Sequence, residues 1–192
     1  MFRRLYDRTI ALSEHPHAMR WLAVVSFVES SVFPIPPDVM LVPMVIAQRA
    51  KAWLIATVCT VASVLGGMAG YALGFFAFAA VGQPILEFYG YAEQFERFTG
   101  EFNDYGAWIV FIFGVTPFPY KVITIASGVT QLDVLTFTVA SVAARGIRFY
   151  LEAALLWYFG PPIRAFIEKR LEWVVMGVVI LTLAGFIAVT YL

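Results

Sequence analysis

Long apolar runs, separated by short charged stretches, dominate the hydropathy pattern of this chain. A helix needs about 20 apolar residues to cross a hydrocarbon core of roughly 30 Å. Three runs are long enough and free of proline, and they cover residues 53–81, 135–159 and 173–192. The pattern therefore predicts three membrane-spanning helices.

Two further apolar stretches, at residues 21–48 and 108–130, are interrupted by proline near their centres. Proline removes a backbone donor and clashes with the preceding turn, so no continuous helix can run through either stretch. The arms of the first are about 13 residues, or roughly 20 Å, which is too short to cross. We predict two re-entrant hairpins whose tips are covered by protein or reached by water. The tip residues are Pro34, Pro36, Pro37, Pro117 and Pro119.

The chain contains an internal repeat. The segment TVASV at residues 60–64 recurs unchanged at 138–142, and the Gly-x-Pro-Ile pattern that begins at Gly82 recurs at Gly160 with the same offset of 78 residues. Each unit holds one hairpin, which does not cross, and one helix, which does. The second unit must then begin on the opposite side of the membrane, so the repeats are inverted.

The predicted fold is an all-α polytopic membrane domain. It comprises an amphipathic N-terminal segment at 1–20, repeat 1 at 21–82, an interfacial amphipathic segment at 83–106, repeat 2 at 107–163 and an extra C-terminal transmembrane helix at 173–192.

Composition and charge support this assignment. The chain is 61% hydrophobic and 14% charged, which excludes an ordinary soluble domain. Almost all lysine and arginine outside the apolar segments falls on the side that holds the N-terminus, and only Arg97 falls on the other. The positive-inside rule then places the N-terminus in the cytoplasm of a bacterium, with the chain in the inner membrane. No removable signal peptide is expected.

Six ionisable residues lie inside apolar segments. Each costs roughly 2.5 to 3.5 kcal/mol at the bilayer centre when it has no partner. Three are acids and three are bases, so we expect them to pair in a shared polar cavity. They are Glu29, Asp38, Lys121, Arg145, Arg148 and Glu152.

Three of these charges share one helix face, because Arg145, Arg148 and Glu152 are spaced i, i+3, i+7. The repeat offset carries them back onto a helix-packing face of glycines, which allows close approach. We therefore expect the charged face and the glycine face to meet. The glycines are Gly67, Gly70 and Gly74.

Arginine in a low-dielectric site suits phosphate, and embedded carboxyl groups suit proton exchange. Hairpin tips add half-helix N-termini that favour an anion. The sequence has no P-loop, HExxH, GxSxG or metal-ligand cluster, so we expect no enzyme activity, cofactor or metal. The structural alternative is a salt-bridge network that only fixes helix register.

The sequence resembles the DedA family of membrane proteins, also called VTT-domain or SNARE-associated proteins, and within it the YqaA-like branch. The resemblance rests on motifs beginning at Glu29 (ESSVFPIPPD), Leu65 (LGGMAGY), Thr116 (TPFPYKV) and Arg145 (RGIRFY). It implies inverted re-entrant hairpins and proton-driven movement of polyprenyl-phosphate carriers or phospholipids.

The resemblance also bears on single residues. Glu29 and Asp38 match the family's membrane-embedded acids. The family commonly places two arginines around the proline of the second hairpin. Here Lys121 stands near the later position and Val115 near the earlier one.

The sequence therefore predicts a proton-coupled lipid flippase or scramblase of the cytoplasmic membrane. Lys121, Arg145, Arg148 and Glu152 would form the site for an anionic lipid headgroup, and Glu29 and Asp38 would exchange protons. Alternatives are a small-ion or solute transporter and a non-transporting membrane scaffold. No nucleic-acid partner is expected, and a homodimer is left open.

Overall fold

The computed structural model describes residues 17–32, 36–116 and 118–160, and within these ranges the chain is helical and contains no strand. The all-α class is thus confirmed. The helices are α1 (Ala18–Ser31), α2 (Asp38–Ala47), α3 (Ala52–Ala77), α4 (Gln83–Tyr89), α5 (Ala92–Asp104), α6 (Gly106–Val115), α7 (Tyr120–Val129) and α8 (Val134–Gly160). The predictions for 1–16, Pro34, Pro117 and the C-terminal helix 173–192 lie outside the described residues.

Two helical segments of the described chain are long and apolar enough to cross a membrane. One is Arg49–Tyr89, with 41 residues, and the other is Val134–Gly160, with 27. The predicted spans 53–81 and 135–159 lie within them. A short 3₁₀ turn at Arg49–Lys51 opens the first, followed by α3 and α4.

The first long helix extends into the segment that was predicted to be a separate interfacial element. A π-helical turn at Phe78–Gly82 joins α3 to α4 just before Pro84, which lacks an amide hydrogen for the preceding turn. The helix ends at Gly90, whose φ of 73° fits the left-handed C-cap. Only α5 forms the separate amphipathic helix, and its Phe95 ring stacks on Phe78 with centroids 4.6 Å apart.

The helices α3 and α8 cross in an antiparallel arrangement, because successive contacts pair rising numbers in α3 with falling numbers in α8. The paired residues are Trp53 with Trp157, Thr57 with Tyr150, Ser63 with Arg145, and Tyr71 with Phe137.

The segment of the first predicted hairpin contains α1 and α2, which have 14 and 10 residues. Leu22 near the start of α1, Val45 near the end of α2 and Ile55 near the start of α3 belong to one buried cluster. The start of α1, the end of α2 and the start of α3 therefore contribute to the same part of the core. Helix α1 packs closely on α3, because a Cβ at Gly66 of α3 would overlap the Phe27 carbonyl of α1.

The segment of the second predicted hairpin contains α6 and α7, with 10 residues each. Gly106, the first residue of α6, lies against Leu132 beyond the end of α7. Asn103 donates a 2.8 Å hydrogen bond to the Thr130 carbonyl at the same level. The returning arm, α7, packs closely on α3, since a Cβ at Gly128 would overlap the Tyr71 carbonyl.

Candidate functional site

The guanidinium of Arg145 lies where α8 crosses α3, and the residue is fully buried. Its Nε donates a 2.7 Å hydrogen bond to Ser63 Oγ, and its Nη2 donates at 3.3 Å to Glu29 Oε2. The rings of Tyr120 and Phe149 lie 4.8 and 4.7 Å from the guanidinium carbon. Because the buried charge has a carboxylate, a hydroxyl and two aromatic rings around it, its desolvation is partly offset.

A closed ring of hydrogen bonds links Arg145 to the first hairpin. Ser30 Oγ donates to Glu29 Oε2 at 3.1 Å and lies 2.7 Å from Ser63 Oγ. Since a hydroxyl has one hydrogen, Ser63 must be the donor to Ser30, and Ser63 in turn accepts from Arg145 Nε. Each donor in the ring is thus assigned: Arg145 donates to both Ser63 and Glu29, and Glu29 accepts from both Ser30 and Arg145. The ring joins α1, α3 and α8.

A second ion pair lies one turn further along α8. Arg148 Nη2 donates to Asp38 Oδ2 at 2.6 Å, and the two side chains are 21% and 31% exposed. Asp38 is the first residue of α2, where the helix dipole favours a negative charge. The arginines of α8 therefore contact both arms of the first hairpin.

Two polar atoms of these ion pairs have no hydrogen-bond partner among the described residues. They are Arg145 Nη1 and Asp38 Oδ1, and both are buried. An unpartnered buried polar atom of this kind costs about 1 to 3 kcal/mol. The network therefore retains one donor and one acceptor for a further group.

The remaining predicted site residues differ in their surroundings. Glu152 is half-buried on α8, one turn beyond Arg148, and its carboxyl interacts with Asp38. Lys121 is half-buried in α7, and the described part of the chain shows no ion pair to its ammonium group. The structure thus brings together five of the six embedded ionisable residues and leaves out Lys121. The five are Glu29, Asp38, Arg145, Arg148 and Glu152.

The glycine face does not meet the charged face, which differs from the expectation. Gly67 and Gly70 lie against Thr124, and a Cβ at Gly74 would overlap the Ile125 carbonyl, all in α7. The charged face instead meets α2 through Asp38. The glycine face of α3 therefore packs on α7, because the missing side chains admit the backbone of α7. The charged face of α8 packs on α2. Each face thus contacts the second arm of the other unit's predicted hairpin.

The predicted tip prolines in the described residues border the returning arms. Pro36 is exposed, Pro37 is buried just before α2, and Pro119 directly precedes α7.

Several residues of the network were not singled out from the sequence. Ser30 and Ser63 carry the hydrogen bonds of the ring, while Tyr120 donates through its hydroxyl to Ser141 Oγ at 2.5 Å. Ser63 and Ser141 occupy the same position of the repeated TVASV segment, and each contacts a hairpin. That shared position was the signal that could have identified them.

The fold and the network are typical of one class of protein, the α-helical membrane proteins, in which charges between apolar helices form ion pairs. Residues 35–158 match the family model described as the VTT domain. The chain belongs to the VTT-domain family, the DedA family of membrane proteins. The predicted family is therefore confirmed, and the narrower YqaA-like branch stays a prediction.

Two relatives are similar over nearly their whole length. An uncharacterized protein of Haemophilus influenzae is 38% identical over 186 residues, which cover 97% of this chain and 96% of the relative. An uncharacterized protein of Histophilus somni is 36% identical over 187 residues, which cover 97% of both chains. No solved structure matches the chain significantly.

Proposed function

We propose that this protein is a proton-coupled lipid flippase or scramblase of the bacterial cytoplasmic membrane, with its N-terminus in the cytoplasm. The observation that carries the proposal is the pair of ion pairs Arg145–Glu29 and Arg148–Asp38 between apolar helices. Charges at this depth are costly and characteristically mark a substrate or proton pathway. The substrate would be a lipid with an anionic headgroup, such as a polyprenyl phosphate or a phospholipid.

The depth of the network supports a site near the middle of the bilayer. Trp53 and Trp157 contact each other near one end of the α3–α8 crossing, and tryptophan is typical of the membrane interface. Ser63 and Arg145 lie 10 and 12 residues from them, or roughly 15 and 18 Å along the helices. Half of a hydrocarbon core is about 15 Å.

The hairpin arms support an inverted-repeat transporter. The four arms have 10 to 14 residues, or roughly 15 to 21 Å, so none is long enough to span. Related contacts recur in the two units: Gly70 of α3 lies against Thr124 of α7, and Arg148, at the repeat-equivalent position of α8, pairs with Asp38 of α2. Inverted repeats give two near mirror-image access states around one site.

In the proposed mechanism, protonation of the carboxyl groups controls the arginines. With Glu29 and Asp38 ionised, both guanidiniums are neutralised by protein. Protonation of Asp38 would release Arg148, which is already partly exposed, to a phosphate group. Arg145 is fully buried and would join only after the helices rearrange. Lys121, which has no ionic partner in the described chain, would add positive charge.

Reconstituted vesicles test the proposal. Purified protein in proteoliposomes should move labelled polyprenyl phosphate or phospholipid between leaflets in response to a pH gradient. Arg148→Ala and Asp38→Asn should lose this activity, whereas Arg97→Ala, a matched change at an exposed arginine of α5, should keep it. Normal movement in both site variants would overturn the mechanism. Ion flux without lipid movement would favour the ion transporter, and neither activity would favour the scaffold.

A further inference from the structure

The network of the described residues contains one carboxyl group more than it has guanidiniums. Arg145 pairs with Glu29, and Arg148 pairs with Asp38. Glu152 is the third acid, and no arginine or lysine of the described chain is paired with it. An additional uncompensated negative charge between apolar helices is expensive, and one bound proton would remove it.

The geometry shows where that proton fits. Arg148 occupies only Oδ2 of Asp38, and Oδ1 is buried without a partner in the described part of the chain. The Glu152 carboxyl lies within hydrogen-bonding reach of the Asp38 side chain. An ionised carboxylate has only hydrogen-bond acceptors. Two carboxyl groups can therefore hydrogen-bond to each other only when one of them is protonated and supplies the O–H donor.

The groups that face Glu152 come from three helices, and the acids among them favour this state whereas the arginines oppose it. From its own helix come Arg145 and Arg148, from α2 comes Asp38, and from α3 comes the buried thiol of Cys59. Both arginines already have an acid partner, so neither is left to neutralise Glu152. Two carboxyl groups that share one site in this way characteristically hold one proton between them.

We propose that Asp38 and Glu152 form a carboxyl pair that binds one proton, with the Glu152 hydroxyl donating to Asp38 Oδ1. This pair, rather than Glu29, is the proton-binding site of the protein. Its role in transport rests on the proposed function. Loss of the proton places two negative charges beside Arg148 and so opposes an anionic headgroup there. By thermodynamic linkage, proton and headgroup therefore bind with mutual preference.

Infrared spectroscopy of the purified protein tests the pair without any measurement of lipid movement. At neutral pH the wild type should show the carbonyl stretch of a protonated carboxyl group. Glu152→Gln should abolish this band, because Asp38 then stays ionised beside Arg148. Asp38→Asn should also abolish it, because Glu152 then takes over the arginine. The matched control Glu29→Gln removes an acid of the other ion pair and should retain the band.

The outcomes separate this inference from the transport proposal. Absence of the band in the wild type, or its persistence in either Glu152→Gln or Asp38→Asn, overturns the carboxyl pair whether or not lipid is moved. Loss of the band in Glu29→Gln alone would assign the proton to Glu29 and overturn the pair as well. The expected spectra with no lipid movement in proteoliposomes would leave the pair standing and contradict only the transport function.

Discussion

Arg148 and Asp38 form the shortest ion pair of the described network, with 2.6 Å between Nη2 and Oδ2, and they join α8 to α2. Because each residue is the other's ionic partner, we expect the losses of unfolding free energy in Arg148→Ala and Asp38→Ala to be non-additive. The double variant should be more stable than the sum predicts by about 1 to 2 kcal/mol. Thermal unfolding in detergent measures this. Asp38→Ala combined with Arg97→Ala in α5 provides a distant pair that should be additive, and additivity for the contacting pair would contradict the prediction.

Arg145 should be sensitive even to a change that keeps its charge. The planar guanidinium of Arg145 lies between two aromatic rings and donates to both Ser63 and Glu29. A lysine ammonium cannot reproduce this arrangement. We expect Arg145→Ala to lower the free energy of unfolding by about 3 kcal/mol, because it leaves Glu29 without its partner, and Arg145→Lys to recover only part of that loss.

The exposed Arg97 supplies the matched control for this prediction. Arg97→Ala should change the free energy of unfolding by about 0.5 kcal/mol or less. The measurement is thermal unfolding followed by intrinsic fluorescence. If Arg145→Lys restored the full free energy of unfolding, the charge alone, and not the guanidinium geometry, would stabilise the crossing of α3 and α8.

Close packing of α3 on α7 predicts which glycines resist substitution. A Cβ at Gly74 would overlap the Ile125 carbonyl, and one at Gly128 would overlap the Tyr71 carbonyl. Because backbone must move to admit the methyl group, we expect each alanine variant to lose about 1 to 3 kcal/mol. Gly100 in α5 faces open space, so Gly100→Ala should instead stabilise the helix by about 0.5 to 1 kcal/mol. Equal effects at Gly74 and Gly100 would refute the packing argument.

The long helices and the breaks could be predicted from the sequence because they follow from local chemistry. Bilayer thickness and side-chain polarity determine the spans, and the clustered prolines separate the short arms, whereas the single Pro43 lies inside α2. The extension of the first long helix to Tyr89 was missed, since Gln83 and Pro84 are typical of a helix end. The widened turn at Phe78–Gly82 allows the helix to continue past the proline.

The pairing of the charges could be predicted only in part. The charge balance indicated mutual pairing, and the spacing of Arg145, Arg148 and Glu152 indicated one face. Which acid pairs with which arginine depends on how the arms of the first hairpin lie along α3 and α8, and periodicity contains no information on that register. The same limitation explains why the glycine face was expected to meet arginine and instead meets α7.

Gln131 ends α7 in a conformation that favours glycine, with φ at 54°. Leu132 N–H bonds to the Ser127 carbonyl and Gln131 N–H to the Gly128 carbonyl, which is the Schellman pattern. A non-glycine residue there costs about 1 kcal/mol, so Gln131→Gly should raise the unfolding temperature and Gln131→Val should lower it. Gln83→Gly in α4 is the control and should be destabilising, since that position is helical. A lower unfolding temperature for Gln131→Gly would contradict the argument.

Asp133 caps the N-terminus of α8, where its Oδ2 accepts a 2.7 Å hydrogen bond from the Thr136 backbone amide. That hydrogen bond is the main reason that the pKa of the Asp133 carboxyl lies below its usual range. Because the pKa of Asp133 is lower in the folded than in the unfolded state, the ionised cap stabilises the fold at pH values above the unfolded pKa of about 4. This stabilisation is lost as the pH falls through the lower pKa of the folded state. The gap in unfolding temperature between wild type and Asp133→Ala should therefore be widest at neutral pH and narrow below about pH 4. Asp133→Asn keeps a capping oxygen but has no titrating proton, so its gap to Asp133→Ala should not change across this range. Unfolding temperatures of the three proteins across an acid pH series measure both gaps, and a wild-type gap that stays constant on acidification would rule out the ionised cap.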